Sequence, residues 1–251
     1  MDLFVVDASF FHSSRVEWRA PMREVISRPL QTFAPSALIL DMDGLMVDSE
    51  PLWFEVERAF CAARGGDFTE ELARRCVGRG VAWTIELIHE LLGFPVDVER
   101  DTREMIDSFI ARVQHLRLKP GCLELLDASQ GVLALAVASS SPRRLIDAVL
   151  SRFGLAPRFF AIVSGEVVAH PKPAPDIFLR AAAELGHAPS RCAVLEDSLA
   201  GATAGRAAGM FVIAVPEGAW EGRGFEAVAD VVVTDLFAAR ACLSPLAPTQ
   251  Q

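Results

Sequence analysis

Two aspartates, Asp41 and Asp43, are separated by one residue and followed by Gly44. They come directly after the apolar run 38–40, and an uninterrupted apolar run is typical of a strand buried on both faces of a parallel sheet. Open α/β sheets bind their ligands beyond the carboxyl ends of the strands. A turn at Gly44 would let the second carboxyl group approach the first. The spacing therefore predicts a site with paired carboxylates at a strand end.

Polar side chains also follow later apolar runs of the chain. Ser139 and Ser140 follow the second run, Lys172 lies in the loop after the third, and Glu196 and Asp197 follow the fourth. Since the carboxyl ends of parallel strands meet at one edge of a sheet, we expect these groups to converge on the aspartate pair. Each motif alone is equally typical of a turn, a helix cap or a solvent-exposed loop, so the inference depends on their common placement.

These residue types suit phosphoryl transfer. Asp41 can attack phosphorus as a nucleophile and form an acyl-phosphate. Because two anions repel each other, the attack needs positive charge, and Lys172 supplies it directly. Asp41 together with Glu196 or Asp197 could also hold Mg²⁺, a hard cation that binds oxygen ligands.

The remaining polar groups have complementary tasks. The Ser139 hydroxyl can donate a hydrogen bond to a phosphoryl oxygen, and so can the backbone amide of Ser140 near the start of the next helix. Asp43 is free to protonate the leaving oxygen and later to activate water. The residues therefore predict catalysis by Asp41 and Asp43, with phosphate binding by the two serines and Lys172.

The pattern of apolar residues indicates which elements position these groups. From residue 117 onward, helical patterns alternate with apolar runs at 133–138, 159–164, 192–195, 211–215 and 231–233. This alternation predicts an α/β fold with a Rossmann-like parallel sheet, whose first strand we expect over 36–46. Residues 51–116 instead show helical periodicity, which predicts an all-helical cap inserted after the first strand. The predicted core is therefore 36–50 and 117–243.

Composition narrows the class of protein. Prolines interrupt residues 1–35, which we interpret as an N-terminal extension outside the main fold that could be disordered. The net charge of −9 disfavours a nucleic-acid partner, which needs a clustered basic face. No apolar stretch approaches the ~20 residues of a membrane span, and the acidic start does not resemble a signal peptide. Five scattered cysteines are typical of reduced thiols, so we expect a cytoplasmic protein.

In these motifs the chain resembles the haloacid dehalogenase-like hydrolases that carry a helical cap after the first strand. Within them it is most similar to the β-phosphoglucomutase-like and sugar-phosphate phosphatase branch. The segments that carry the resemblance are 41–50, 137–141, 172–178 and 194–201. The dehalogenases of this superfamily lack an aspartate at the position of Asp43, which favours phosphoryl transfer over cleavage of a carbon–halogen bond.

The resemblance implies a role for each matching residue. Asp41 would be the nucleophile and a Mg²⁺ ligand. Asp43 would be the general acid and base, and its backbone carbonyl would also bind the metal. Asp197, together with Glu196, would complete the metal site. The residues that would bind the phosphoryl group are Ser139 and Lys172.

The cap is expected to select the substrate, and three positions bear on this. Arg79 lies where this branch has a cap loop that meets the substrate, so it could contact an anionic or hydroxyl-rich group; a solvent-exposed arginine is the alternative. Glu50, at the entrance to the cap, could hydrogen-bond sugar hydroxyls. Val81 falls where the mutases of this branch have an arginine for the distal phosphate, which disfavours a mutase.

We therefore predict a Mg²⁺-dependent phosphatase that hydrolyses a small phosphorylated metabolite, a sugar or polyol phosphate, through an aspartyl-phosphate. Two alternatives remain open. A β-phosphoglucomutase-like enzyme would return the phosphate to a sugar hydroxyl, and a non-catalytic protein would bind phosphorylated metabolites without turnover. By default we expect a monomer whose partner is a small molecule and not nucleic acid or a membrane.

Overall fold

The computed structural model describes residues 33–76, 80–93, 95, 97–216 and 224–243. Within them the chain forms six β-strands and nine α-helices. The predicted N-terminal extension lies almost wholly outside the described residues. None of the described helices is long and apolar enough to cross a membrane.

The six strands form one parallel sheet. They are β1 (Ala37–Leu40), β2 (Ala134–Ser139), β3 (Ala161–Ser164), β4 (Cys192–Glu196), β5 (Phe211–Ala214) and β6 (Val231–Val232). Their order across the sheet is β3-β2-β1-β4-β5-β6, and all neighbours are parallel. β1 is central, since Leu40 aligns with Val137 of β2 and with Leu195 of β4. The predicted α/β fold with a parallel sheet is confirmed.

Both faces of β1 are buried. Leu38 and Leu40 pack into the hydrophobic cluster on one face, whereas Ala37 and Ile39 pack into the cluster on the other. A strand covered on both sides has no solvent-facing position to fill with a polar residue. The apolar sequence of β1 follows from this burial.

The first strand is shorter than the predicted range 36–46. β1 ends at Leu40, and the backbone then turns so that the N–H of Gly44 donates to the carbonyl of Val47 at 3.0 Å. Gly44 has a φ of +78°, a left-handed conformation that glycine adopts without a steric clash. The turn therefore takes the place of the predicted second half of the strand.

A block of four helices follows β1 before the sheet resumes. It comprises α1 (Glu50–Ala62), α2 (Glu70–Cys76), α3 (Val81–Leu92) and α4 (Val98–Ile110). Aromatic rings hold these helices together: the Trp53 and Phe109 ring centroids are 4.3 Å apart, and those of Phe54 and Phe68 are 6.0 Å apart. The helices were predicted for this part of the chain.

The chain segments that lead into and out of the helical block pair with each other. Val47 and Leu118 form an antiparallel bridge, and the N–H of Asp48 donates to the carbonyl of Arg117 at 3.0 Å. This pair lies next to the predicted limits of the cap, 51–116. The division into core and cap domains stays a prediction.

The remaining helices cover the sheet. They are α5 (Cys122–Ser129), α6 (Arg143–Arg152), α7 (Asp176–Leu185), α8 (Leu199–Ala207) and α9 (Leu236–Ala241). α7 packs on β1, β2 and β3, and α8 packs on β4 and β5. Phe178 of α7 is fully buried in the cluster that includes Ile39 and Val194 of the sheet.

One buried carboxyl group of the helical block stands apart from the others in its partners. Glu57 of α1 is 7 % exposed. Among the described residues, none donates a hydrogen bond or brings a positive charge to it, and burial raises its pKa to about 8. The pKa rises because an apolar surrounding disfavours the charged form of an acid.

Truncation of Phe178 should weaken the contact between α7 and the sheet. Phe178→Ala removes a fully buried ring, so we expect the free energy of unfolding to fall by about 3–5 kcal/mol. The midpoint of urea unfolding measures this loss. Leu179→Ala, at the neighbouring position with 41 % exposure, is the control and should cost less than about 1 kcal/mol. Equal losses at the two positions would contradict the packing of α7.

Because of Glu57, the free energy of unfolding should fall as the pH rises from 4.5, the ordinary pKa of a glutamate, to about 8, its pKa in the folded protein. In this window the folded state retains a proton that the unfolded state releases, so unfolding becomes more favourable with increasing pH. Glu57→Gln lacks this titration. The free energy of unfolding of Glu57→Gln minus that of the wild type should therefore increase with pH, by at most about 1.4 kcal/mol per pH unit. Thermal unfolding at several pH values measures the difference.

The control for this titration is Glu55→Gln. Glu55 lies on the same helix, is exposed, and pairs with Arg112 at 3.3 Å. Comparing the two variants at each pH separates the effect of the buried carboxyl group from the loss of a glutamate from α1. If the stabilities of Glu57→Gln and wild type, plotted against pH, run parallel from pH 5 to 8, Glu57 does not titrate as described.

Candidate active site

The polar groups that were predicted to converge lie together at one edge of the sheet. Asp41 directly follows β1, Ser139 ends β2, and Glu196 ends β4. Lys172 lies in the loop between β3 and α7. Its Nζ is 2.5 Å from Asp41 Oδ1 and 2.5 Å from Glu196 Oε1. One ammonium group therefore joins the ends of two strands.

The Lys172 ammonium is enclosed by acceptors. It also donates to the carbonyl of Ala138 at 3.1 Å, and it lies 5.1 Å from the ring centroid of Phe178. Burial lowers the pKa of Lys172, but the carboxylates of Asp41 and Glu196 raise it more, so the pKa lies above its ordinary value. Lys172 is therefore a permanent positive charge at this edge.

Carboxyl groups outnumber that positive charge. One oxygen from each of Asp41, Glu196 and Asp197 lies within 4.8 Å of the others. Burial raises the pKa of Asp41 to about 7 against the attraction of Lys172, and the charge of Glu196 raises it further. Burial, Glu196 and Asp41 hold the pKa of Asp197 well above its usual range. Three oxygen donors beside one ammonium fit a hard divalent cation.

Two glycines allow the acidic groups to lie this close to the backbone. A Cβ on Gly201 would lie 1.9 Å from the Glu196 carboxylate, and a Cβ on Gly44 would lie 2.1 Å from Asp197 Oδ2. Ser198 donates its N–H at 3.3 Å and its hydroxyl at 2.9 Å to Glu196 Oε2. The Ser198 hydroxyl also accepts from the N–H of Gly201 at 3.0 Å and so caps α8. The start of α8 therefore fixes the orientation of Glu196.

Asp43 faces a group of serine hydroxyls. Ser141 Oγ donates to Asp43 Oδ2 at 2.8 Å, and Ser139 Oγ lies 3.5 Å from the same atom. The carbonyl of Ser141 accepts from the hydroxyl of Ser164 at 2.8 Å. The other carboxylate oxygen, Asp43 Oδ1, is buried, and no atom of the described chain hydrogen-bonds to it. Asp43 is thus held at one oxygen and unpaired at the other.

Ser141 is a residue of this site that the sequence analysis did not identify. The prediction named Ser139 and Ser140, because these two directly follow the apolar run of β2. In the structure the hydroxyl that bonds Asp43 at 2.8 Å belongs to Ser141, while Ser140 lines the cleft described below. The run of three serines was a visible signal, but which of them faces Asp43 depends on the turn after β2.

The two aspartates line a cleft of about 640 Å³. Sites for small molecules in proteins have volumes of this order. The helical block contributes Trp53, Phe54, Glu57, Val81 and Thr84 to the same cleft. Glu50 is exposed and also lines it, whereas Arg79 lies outside the described residues. The substrate contacts expected of these two residues stay predictions.

Known proteins share the sequence pattern of this chain. A family model described as haloacid dehalogenase-like hydrolase matches residues 35–209. Hexitol phosphatase B from Escherichia coli (strain K12) is 37% identical over 188 residues, which cover 72% of this chain and 83% of that protein. The phosphorylated carbohydrates phosphatase from Thermotoga maritima is 32% identical over 185 residues, covering 69% and 82%.

A solved structure shares the fold. CbbY from Rhodobacter sphaeroides in complex with phosphate superimposes with a TM-score of 0.73 at 27% sequence identity. The superposition covers 80% of this chain and 95% of the other. The chain therefore belongs to the haloacid dehalogenase-like hydrolases, in their β-phosphoglucomutase-like and sugar-phosphate phosphatase branch, and is a phosphoric monoester hydrolase.

Proposed function

We propose that this protein hydrolyses the monophosphate ester of a small sugar or polyol through an aspartyl-phosphate on Asp41. The observation that carries the proposal is the contact of Lys172 with Asp41 and Glu196 at 2.5 Å each, at the end of a cleft that Asp43 also lines. A nucleophile, a fixed positive charge and a second carboxyl group are thereby within reach of one phosphoryl group. Phosphoryl transfer requires little more of a protein than such positioning and charge.

In the first step the Asp41 carboxylate attacks phosphorus, and the bond to the ester oxygen breaks. Lys172 offsets the negative charge of the attacking carboxylate and of the phosphoryl oxygens. The hydroxyl of Ser139 donates a hydrogen bond to a phosphoryl oxygen, as does the amide of Ser140. Asp43 protonates the departing oxygen, so the alcohol leaves as a neutral molecule.

In the second step water attacks the phosphorus of the aspartyl-phosphate. Asp43, now ionised, accepts a proton from that water and returns to its starting state. The acyl bond breaks, inorganic phosphate leaves, and the Asp41 carboxylate is restored. The hydrogen bond from Ser141 to Asp43 Oδ2 keeps the carboxyl group in one orientation, and no atom of the described residues hydrogen-bonds to Oδ1, which leaves that oxygen to the substrate or water.

The carboxylates of Asp41, Glu196 and Asp197 would hold Mg²⁺, with the backbone carbonyl of Asp43 as a further ligand. The oxygens of the three side chains lie within 4.8 Å of one another, and all are the oxygen donors that Mg²⁺ requires. When bound, the ion supplies positive charge that neutralises phosphoryl oxygens. A bound cation would also offset the repulsion among these carboxylates, which adds to the larger effect of burial in raising the pKa values of Asp41 and Asp197.

The relatives and the cleft support the proposed substrate class. The two relatives described above are named for phosphatase activity on hexitol phosphates and phosphorylated carbohydrates. A cleft of about 640 Å³ has room for such an alcohol. The mutase alternative differs in its product, an isomerised sugar phosphate, and the non-catalytic alternative yields no product. The monomeric state and the cytoplasmic location stay predictions.

Asp41→Asn and Asp43→Asn should each lower kcat at least about 100-fold, because the first removes the nucleophile and the second the acid and base. The assay measures free phosphate from a panel of hexitol, hexose and glycerol phosphates with Mg²⁺ present. Asp147→Asn is the matched control, since Asp147 is exposed on α6 and pairs with Arg143 at 2.8 Å.

Activity retained in Asp41→Asn would overturn the mechanism. Conversion of β-glucose 1-phosphate to glucose 6-phosphate without release of phosphate would instead support the mutase alternative. Binding of esters with no turnover by the wild type would support the non-catalytic one.

Mg²⁺ should raise the melting temperature of the wild type, because a ligand that binds only the folded state stabilises it by about 2.7 kcal/mol at 100 times its Kd. Asp197→Asn removes one proposed ligand and should lose most of this Mg²⁺-dependent shift. Thermal unfolding with MgCl₂, against NaCl of equal ionic strength, separates binding from screening. The same shift in the variant and wild type would exclude Asp197 as a ligand.

A further inference from the structure

The part of the cleft wall that belongs to the helical block contains a carboxyl group that has no hydrogen-bonding or charged partner among the described residues. Glu57 of α1 lines the cleft and is 7 % exposed, and burial raises its pKa to about 8. Across the described part of the chain, nothing donates a hydrogen bond or brings a positive charge to it. Buried polar groups are nearly always paired, because an unpaired one destabilises the folded state. Packing alone does not account for an acid at this position.

The neighbouring side chains do not satisfy Glu57. Thr84 of α3 lines the same wall and is 3 % exposed, but its hydroxyl interacts with the Cys76 thiol. Trp53 and Phe54 contribute aromatic rings to the wall. A molecule in the cleft could therefore supply the hydrogen-bond donors that the described residues do not offer to Glu57.

The cleft has room for such a molecule beside a phosphoryl group. Lys172 and the serine hydroxyls belong to the sheet edge, whereas Glu57 belongs to the helical block. A volume of about 640 Å³ is typical of sites that enclose a whole small molecule. With the phosphoryl group at the sheet edge, the alcohol part of the ester is the part that meets the helical block.

We propose that Glu57 accepts hydrogen bonds from hydroxyl groups of the substrate alcohol and thereby selects polyhydroxylated monophosphates. This inference rests on the proposed phosphatase function and names a specificity residue for it. A site built to hydrogen-bond a hydroxyl rejects an analogue that lacks the hydroxyl, because the buried acceptor is then left unpaired. Glu57 touches the alcohol and takes no part in the transfer of the phosphoryl group.

Above its raised pKa of about 8, where Glu57 is ionised, it also disfavours a second anionic group at the same place. A carboxyl group accepts a hydrogen bond from a hydroxyl in either protonation state, but beside a phosphate its ionised form is repelled. Glu70 and Arg74 of α2 also line the cleft, but both are exposed and their charges are opposite. A neutral alcohol therefore fits this wall better than the distal phosphate of a bisphosphate.

The test compares two esters with chains of the same length, sorbitol 6-phosphate and n-hexyl phosphate, which differ in the hydroxyl groups. In Glu57→Met, kcat/KM for sorbitol 6-phosphate should fall about 10- to 100-fold more than kcat/KM for hexyl phosphate. Most of the loss should appear as a higher KM. Glu57→Gln keeps one acceptor oxygen and should lose less.

Glu55→Met is the matched control, because Glu55 lies on the same helix outside the cleft. It should leave the ratio of the two kcat/KM values unchanged. Circular dichroism verifies that each variant is folded. Equal losses for both esters in Glu57→Met, or an unchanged ratio, would overturn the inference and leave Glu57 a structural residue.

A second comparison uses fructose 6-phosphate and fructose 1,6-bisphosphate. Above pH 8, where Glu57 is ionised, the wild type should have a higher kcat/KM for the monophosphate than for the bisphosphate, and Glu57→Met should reduce that ratio. A wild-type preference for the bisphosphate that disappears in Arg74→Met would place the distal group at Arg74 and would contradict the inference.

Failure of the proposed function has a separate signature. If the wild type releases no phosphate from any ester, the phosphatase proposal fails. Glu57 is then judged by ligand binding, measured as the thermal shift that each ester gives in Asp41→Asn and in the double variant with Glu57→Met. The inference is supported if the double variant loses the thermal shift with sorbitol 6-phosphate but keeps the shift with hexyl phosphate. It is refuted if each ester gives the same shift in Asp41→Asn and in the double variant.

Discussion

The ammonium group of Lys172 is buried against more carboxylate than it can neutralise, and the geometry of the sheet edge depends on this imbalance. Buried charges are stable only when they are paired, so Lys172 connects the ends of β1 and β4 through Asp41 and Glu196. Asp197 adds a third carboxyl group beside them. The remaining negative charge suits a cation, and a bound cation would in turn attract a phosphate group.

The segment that carries this chemistry also carries the helical block. After Gly44 the chain reaches the start of α1 at Glu50, and the returning segment pairs with it through Val47 and Leu118. The helices are therefore attached directly beside Asp41 and Asp43. The cleft between them combines a charged sheet edge with a wall in which Glu57 is the buried acceptor. This asymmetry suits an ester with an anionic end and a neutral, hydroxyl-bearing end.

Much of the fold could be predicted from local sequence. The apolar run of β1 indicated a strand buried on both faces, and alternation of runs with helical patterns indicated a parallel sheet. Since parallel strands present their carboxyl ends at one edge, the convergence of Asp41, Lys172 and Glu196 followed from topology. The length of β1 did not follow, because Met42 and Leu45 are apolar and buried although they belong to a turn and not to a strand. Apolar character reports burial and not backbone conformation.

The sequence by itself determined which chemical groups are available and which strand ends carry them. Only the tertiary structure decided that Ser141 is the serine that bonds Asp43, because the turn after β2 sets the direction of each side chain. It also decided that Glu57 is buried, since a glutamate on an amphipathic helix is normally solvent-exposed. Local periodicity depends on neighbours along the chain, whereas burial and contact depend on elements that are distant in sequence. The available chemical groups were therefore predictable, and the burial of Glu57 in the cleft wall was not.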